Sequence, residues 1–259
     1  MNVLREQTYR FDGEWMVDFS SKSCDIHAGS GVFVNLNEED GDYTEVRWDV
    51  PNTAFALDPE NNTVWGWEWP IGVEITIEIL TKGIFYANVD ENGNFGTDAL
   101  SVDIVTGDVV LVSGSGLEKA HTVRELREIS YSEIDDTING FATEGKWVNV
   151  WACDKNNCDG IDWLAGTGGA FSVDMTEIGI DIAPGTEGNV GRWDSDGDGT
   201  VINWRVPNPR FSVSLNQDYV RCVEWTPETQ VDLYINDVLQ ASETSDESGF
   251  VMFNGQDIQ

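Results

Sequence analysis

The sequence predicts an all-β fold built as several β-sandwiches in a row. Three observations carry that prediction. Apolar and polar residues alternate over short runs, Gly, Asn and Asp interrupt those runs at close intervals, and the chain repeats itself over a long, ungapped period. A chain of 259 residues, 40% apolar and 11% aromatic, has material for more than one core.

A shift of 156 residues lays DGDYTEVRWDVPNTAF (40–55) on DGDGTVINWRVPNPRF (196–211) without a gap. Upstream, Gly13, Val17, Asp18, Asp25, Ile26, Gly29 and Val34 meet Gly169, Val173, Asp174, Asp181, Ile182, Gly185 and Val190. Downstream, Val64, Glu68, Trp69 and Ile79 meet Val220, Glu224, Trp225 and Ile235, and Asp90, Glu91 and Gly93 meet Asp246, Glu247 and Gly249. Two ungapped copies imply one architecture used twice. Each period also holds two shorter patterns, at 63–112 and 137–175, with a common order: an opening V/I-x-G, a Gly turn, an alternating strand, a Gly-containing hairpin and a further strand. Val73, Ile75, Ile77 and Ile79 alternate with Glu74, Thr76 and Glu78, as half-buried antiparallel strands require. Trp147, Val148, Val150 and Trp151 follow the same pattern less cleanly. The division is a partial sandwich at 1–50, sandwiches at 51–125 and 126–206, and a partial sandwich at 207–259. Helical periodicity is weak. In GLEKAHTVRELREIS (116–130), Val123, Leu126 and Ile129 suit a crossing strand as well as a short helix.

The frame V-x-G-x-x-x-x-G-x-x-V-x-V, then D-x-x-G-x-F, then D-I-x-x-G-D-x-V resembles the tandem bacterial immunoglobulin-like repeats of large secreted and cell-surface proteins, over most of residues 13–250. The resemblance implies tandem Ig-like β-sandwich domains that serve as spacers, stalks or adhesive modules, often stiffened by calcium and rarely catalytic. This chain departs from it in two long Asp-rich insertions, 20–45 and 176–200.

Charge narrows the partners. Forty-seven Asp and Glu against fourteen Lys and Arg leave −33, a field that repels phosphate backbones and anionic headgroups, so neither nucleic acid nor a membrane surface is an expected partner. No run of about 18 apolar residues exists to span a bilayer. Residues 1–10 lack the apolar core of a secretory leader, so an exported chain is expected to have lost its leader or to carry it outside this sequence. Of four cysteines, Cys153 and Cys158 bracket CDKNNC and sit close enough to pair in an oxidising compartment or to remain thiols; their spacing and number are wrong for zinc. Cys24 and Cys222 cannot be paired from sequence. Few cysteines with strong acidity fit a secreted or cell-surface protein.

The Asp-rich stretch DSDGDGT (194–200) has the chemistry of a calcium loop. Calcium takes six to eight oxygens, so it needs several carboxylates on a tight, glycine-relieved turn, and Asp194, Asp196, Asp198 and Thr200 supply one. An EF-hand is excluded, since Arg205 stands at its twelfth position and no flanking helix is evident. Asp181 and Asp174 are the nearest further carboxylates. In the first copy the set is Glu38, Asp40, Asp42 and Thr44, with Asp25 and Asp18. The competing reading is a charged turn whose Asp side chains satisfy their own backbone. The turns at 90–93 and 246–249, and DIVTGD at 103–108, read as hairpin chemistry.

Eleven tryptophans raise carbohydrate binding, because aromatic faces stack on sugar rings. Trp48 and Trp204 recur, as do Trp69 and Trp225, which marks them as packing residues. Trp65 and Trp67 become Arg221 and Val223 in the second copy, so with Trp69 they offer a candidate exposed platform. Enzyme signatures are weak. His27 and His121 form no recurring triad, no phosphate or dinucleotide fingerprint is present, and Glu68 with Glu224 are the best acidic candidates. Both ends of the sequence fall inside sandwiches, as expected of a piece of a longer array or of sheets completed by strands from further copies. The expected function is that of an extracellular, calcium-stabilised stalk or fibre module that is structural or adhesive and not an enzyme. The alternative is a carbohydrate-binding module.

Overall fold

The structure, a computed structural model, describes residues 26–38 and 40–255. Twenty-one strands and two short 3-10 turns, Thr167–Gly169 and Met175–Ile178, make up the regular structure of those residues. Among them no helix is long and apolar enough to cross a membrane.

One seven-strand plan is used twice. Strands β3 (Ala54–Asp58), β4 (Thr63–Trp67) and β7 (Phe95–Gly96) pair in the order β3-β4-β7; β5 (Glu74–Ile79), β6 (Gly83–Asn88), β8 (Val109–Gly114) and β9 (Leu117–Thr122) pair as β6-β5-β8-β9. The next seven copy it. Strands β10 (Leu126–Ser132), β11 (Thr137–Ala142) and β14 (Ala170–Asp174) form β10-β11-β14, and β12 (Trp147–Cys153), β13 (Cys158–Leu164), β15 (Glu187–Trp193) and β16 (Gly199–Arg205) form β13-β12-β15-β16. Strands β17 (Arg210–Ser214), β18 (Tyr219–Val223) and β21 (Val251–Asn254) repeat the three-stranded sheet, and β19 (Gln230–Ile235) with β20 (Val238–Thr244) repeat half of the four-stranded one. Before them all stands the hairpin of β1 (Gly31–Asn37) and β2 (Tyr43–Asp49). The 156-residue shift carries β1 and β2 onto β15 and β16, and β3 onto β17. The fold is all-β, with tandem Ig-like sandwiches.

The alternation decides which face is buried. Ile75, Ile77 and Ile79 point inward with Phe55, Leu57, Val64, Val110 and Val112 to make one core. Ile138, Val148, Val150, Val173, Val190 and Ile202 make the second, and Val220, Cys222, Val231, Val251 and Phe253 the third. Each such side chain removed from water contributes about 1.5–3 kcal/mol. Trp69, 2% exposed, seals the first core and donates from Nε1 to Ala54 O at 3.0 Å. Its backbone is held by the turn the sequence marked. Asp90 Oδ1 accepts from Asn92 N and Asn94 N, and Trp69 N donates to Gly93 O at 3.0 Å. Asp246, Gly249 and Trp225 repeat the arrangement, and there a Cβ at Gly249 would stand 2.0 Å from Trp225 O, so only glycine fits.

Residues 116–130 hold two strands, β9 and β10. Ser115 and Gly116, with φ of 53° and 80°, close a two-residue hairpin between Gly114 and Leu117, and that turn commits the chain to pair back on β8. Trp204 is buried in the second core, but its counterpart Trp48 is 59% exposed, since no second sheet covers the β1–β2 hairpin among the described residues. Cys153 and Cys158 form a disulfide across the β12–β13 hairpin, and Cys222 is a buried free thiol whose pKa burial pushes up. The candidate acids Glu68 and Glu224 brace backbone: each accepts the amide of a residue sixteen positions earlier, Asn52 at 2.7 Å and Asn208 at 3.1 Å.

The two complete sandwiches are joined edge to edge. Strand β16 pairs in parallel with β3, Gly199 opposite Ala56 and Thr200 opposite Leu57. The result is one seven-stranded sheet, β13-β12-β15-β16-β3-β4-β7, running through both.

Candidate metal centre at the joint between sandwiches

The β15–β16 hairpin turns through residues 194–198 at this joint. Asp194 N donates to Asp198 O at 2.8 Å, Asp194 Oδ1 accepts Asp198 N at 2.8 Å, and Gly197 takes a φ of 90° that a β-branched residue would resist. The turn gathers Asp194, Asp196 and Asp198 so that one ligating oxygen from each lies within 4.8 Å of the others. Asp194 is half-buried, Asp196 exposed and Asp198 fully buried.

Asp198 bridges the sandwiches. Its Oδ1 accepts the Phe55 amide of β3 at 2.9 Å. Its Oδ2 is buried with no hydrogen-bond partner; the Lys119 ammonium stands 3.4 Å away, close enough for charge attraction but out of hydrogen-bonding alignment. Lys119, on β9, instead donates to Asp196 Oδ2 at 2.7 Å and Asp196 O at 2.9 Å. Two residues along the same strand face, His121 is 1% exposed, with Nδ1 at 2.7 Å from Asp194 Oδ2 and Nε2 at 3.0 Å from Thr200 Oγ1. Thr200 Oγ1 also accepts the Arg124 amide at 2.9 Å. With neutral imidazole, this network places the proton on Nδ1 facing the carboxylate, while the Thr200 hydroxyl donates to Nε2. Arg124 Nη1 donates to Trp193 O at 2.7 Å, and Asp58, fully buried at the end of β3, accepts from Asn203 Nδ2 of β16 at 3.2 Å.

The charges answer to this geometry. Burial pushes the Asp198 carboxyl up to about 6, an effect that Asp196 and Asp194 reinforce and the Phe55 amide and Lys119 partly offset. Burial works against the Lys119 ammonium, but the Asp196 and Asp198 carboxylates outweigh it and raise its pKa above the ordinary lysine value. Burial lowers His121 below the usual histidine range despite Asp194. The donor set therefore suits a cation: three carboxylates, one of them with a buried orphan oxygen, and the Asp196 carbonyl. The cation the chain itself supplies is the Lys119 ammonium, so a metal ion binding these oxygens must displace it.

The other expected ligands are placed elsewhere. Thr200 has its hydroxyl engaged by His121 and Arg124 and its backbone paired to both β15 and β3, so it belongs to the lock and not to the ligand set. Asp174 caps the second 3-10 turn, accepting Thr176 N at 2.9 Å, and Asp181 donates its amide to Asp154 Oδ2 at 3.2 Å. Asp174 and Asp181 both precede β15, whose seven residues span about 20 Å before the carboxylate loop begins. In the first copy, Glu38, Asp40, Asp42 and Thr44 lie on an exposed hairpin of the same form, Glu38 N donating to Asp42 O at 2.8 Å. Among the described residues only the second-copy loop brings three ligating oxygens together. Asp18 and Asp25, like Cys24, lie outside the described residues. Sequence reasoning missed Lys119, His121, Arg124, Asp58 and Asn203. The available signal was the K-A-H of β9, a lysine and a histidine on one strand face in a chain poor in basic residues.

The three-tryptophan platform does not form. Glu68, with φ of 58°, breaks the alternation after β4 and turns Trp69 into the core, while Trp65 and Trp67 stay half-buried on the outer face. Trp67 packs edge to face on Trp193 of β15, centroids 6.0 Å apart.

No protein-family model matches the chain, and no curated protein matches it. Among solved structures it is similar to a tetra-tandem repeat in the extending region of a large adhesion protein, at 15% identity over 86% of this chain and 72% of that one, TM-score 0.21. It is also similar to a Ca2+-stabilised adhesin that helps an Antarctic bacterium reach out and bind ice, at 15% identity over 88% and 74% of the two chains, TM-score 0.19. A biofilm-associated protein domain matches 58% of this chain and 28% of its own, at 15% identity and TM-score 0.23. At such scores the likeness carries no weight beside the geometry above.

Proposed function

We propose that the chain is a stretch of an extracellular, non-catalytic stalk, in which neighbouring sandwiches are locked into a stiff rod that carries an adhesive surface protein outward. One observation supports this above the others: β16 of one sandwich continues the sheet of the other through β3, with the buried Asp198 carboxylate bonded to the Phe55 amide across the joint. A flexible string of domains needs no such contact. The reading agrees with the extending-region and Ca2+-stabilised adhesins named above without resting on them.

Calcium is the finer part of the proposal. Asp194, Asp196 and Asp198 would hold it, and when bound it supplies two positive charges to carboxylates that Lys119 neutralises in part. Lys119 then turns to solvent, and His121 keeps Asp194 oriented from the far side. The partners in this reading are a surface to which the parent protein adheres and further copies of the chain.

The test is calorimetric melting of the intact chain in millimolar calcium and in excess chelator, since a ligand that binds only the folded state raises the midpoint by mass action. A calcium-dependent rise, absent in the Asp196→Ala plus Asp198→Ala variant, is expected. An unchanged midpoint would leave a lock closed by Lys119 alone.

A further inference from the structure

The outer face of the seven-stranded sheet carries a row of tryptophans and amides that extends well beyond the joint. On β12, Val148, Val150 and Ala152 point into the core, so Trp147, Asn149 and Trp151 face outward. Strand register extends that face sideways: Asn149 lies opposite Asp162 and Gly191, Trp151 opposite Gly160 and Asn189, Asn189 opposite Asn203, and Trp193 opposite Gly199. Trp147 is 64% exposed, Trp151 37% and Trp193 38%. Trp67, against Trp193, continues the row onto the other sandwich.

Two of these indoles pack against glycine. A Cβ at Gly199 would fall 2.5 Å from the six-membered ring of Trp193, one at Gly191 2.7 Å from its Nε1, and one at Gly160 3.1 Å from Cδ1 of Trp151. Trp193 therefore packs close over the backbone of Gly191 and Gly199, Trp151 stands beside that of Gly160, and each keeps more than a third of its surface open to water. Between the rings stand Asn149, whose Nδ2 donates to Asp162 Oδ1 at 2.9 Å, and then Asn189 and Asn203, which with Trp151, Glu187 and Arg205 line a shallow groove of about 380 Å³. The repeat shows that the frame does not need the row. Trp193 becomes Asn37 and Trp67 becomes Val223 in the other copy, whereas the packing tryptophans 69 and 204 keep their counterparts.

We propose that this face binds a neutral polysaccharide, laid across the strands from Trp147 through Trp193 towards Trp67. Indole faces spaced along a flat sheet match the apolar C–H faces of successive pyranose rings, and the interleaved amides and carboxylates supply donors and acceptors for their hydroxyls. A protein partner would instead seek pockets for inserted side chains. Anionic glycans are disfavoured by a net charge of −33 and by the binding of Arg205, the groove's cation, to Glu187 and Glu224. The far end of the row, Trp67, belongs to the other sandwich, so the full row exists only while the joint is closed.

Affinity electrophoresis of the intact chain through gels cast with xyloglucan, galactomannan, mixed-linkage glucan or dextran tests the assignment. Retardation by at least one of them is expected, with Trp147→Ala and Trp193→Ala each weakening it about tenfold, the fully folded melt of Trp147→Ala preserved, and Trp48→Ala without effect. No retardation by any of the four overturns the proposal, as does equal weakening by Trp48→Ala. Calcium-dependent melting is read separately, so failure here leaves the stalk reading standing.

Discussion

Replacing Asp198 with Asn removes a buried charge and keeps its shape. The carboxyl titrates at about 6 in the folded chain against an ordinary 3.8, and at about 1.4 kcal/mol per pH unit the difference is about 3 kcal/mol. Because the folded-state value is raised, the folded chain holds a proton that the unfolded chain has released between about pH 4 and pH 6; stability falls as pH rises through that window and stays lower above it. Asn cannot ionise, and its Oδ1 still accepts the Phe55 amide. The offset is the lost attraction to Lys119 at 3.4 Å. In chelator at pH 7.5, Asp198→Asn is therefore expected to melt above the wild type by about 1–3 kcal/mol, or about 2–10 °C for a chain of this size. In calcium that lead shrinks, because the wild type gains about 2.7 kcal/mol at a hundredfold excess over Kd and a site left with two of its three carboxylates gains less. Calorimetry from pH 4 to 8, with and without calcium, reads both. A variant that melts below the wild type in chelator, or that keeps the wild-type slope between pH 4 and 6, refutes the reasoning.

Lys119→Met removes the built-in cation, so its midpoint in chelator should drop while its calcium-induced rise exceeds that of the wild type; an equal rise would separate Lys119 from the ligand set. His121 has a lowered folded-state pKa, so the unfolded chain takes up a proton first as pH falls below about 6.5 and stability is lost there. Denaturant titrations of His121→Gln should lack that acid-side loss. Trp69→Ala opens the first core and frees the Ala54 carbonyl, and should cost about 3–5 kcal/mol by denaturant unfolding without changing the calcium response.

Much of the fold was legible because its causes are local or periodic. Alternation in 73–79 placed Ile75, Ile77 and Ile79 inside, and the ungapped shift aligned strands seven at a time. The hairpin turns of Asp90 and Asp246 were readable from Asp, Gly and Asn at fixed offsets. The ambiguity at 116–130 came from weighing periodicity over 15 residues when two, Ser115 and Gly116, set the direction of the chain.

The candidate site divided differently. The sequence by itself determined that Asp194, Asp196 and Asp198 share one glycine-relieved turn, since a five-residue loop can gather them without help from elsewhere. Only the tertiary structure decided what they face. Phe55 lies 143 residues from Asp198 and Lys119 lies 77 from Asp196, and they meet because β16 pairs with the edge of another sandwich. Tertiary structure likewise kept Asp174 and Asp181 out of the carboxylate cluster, turned Trp69 inward and set Trp147 and Trp193 on neighbouring strands. Strand period tells which side of a strand a residue occupies; which edge that strand meets depends on packing between sandwiches, and no spacing along the chain encodes it.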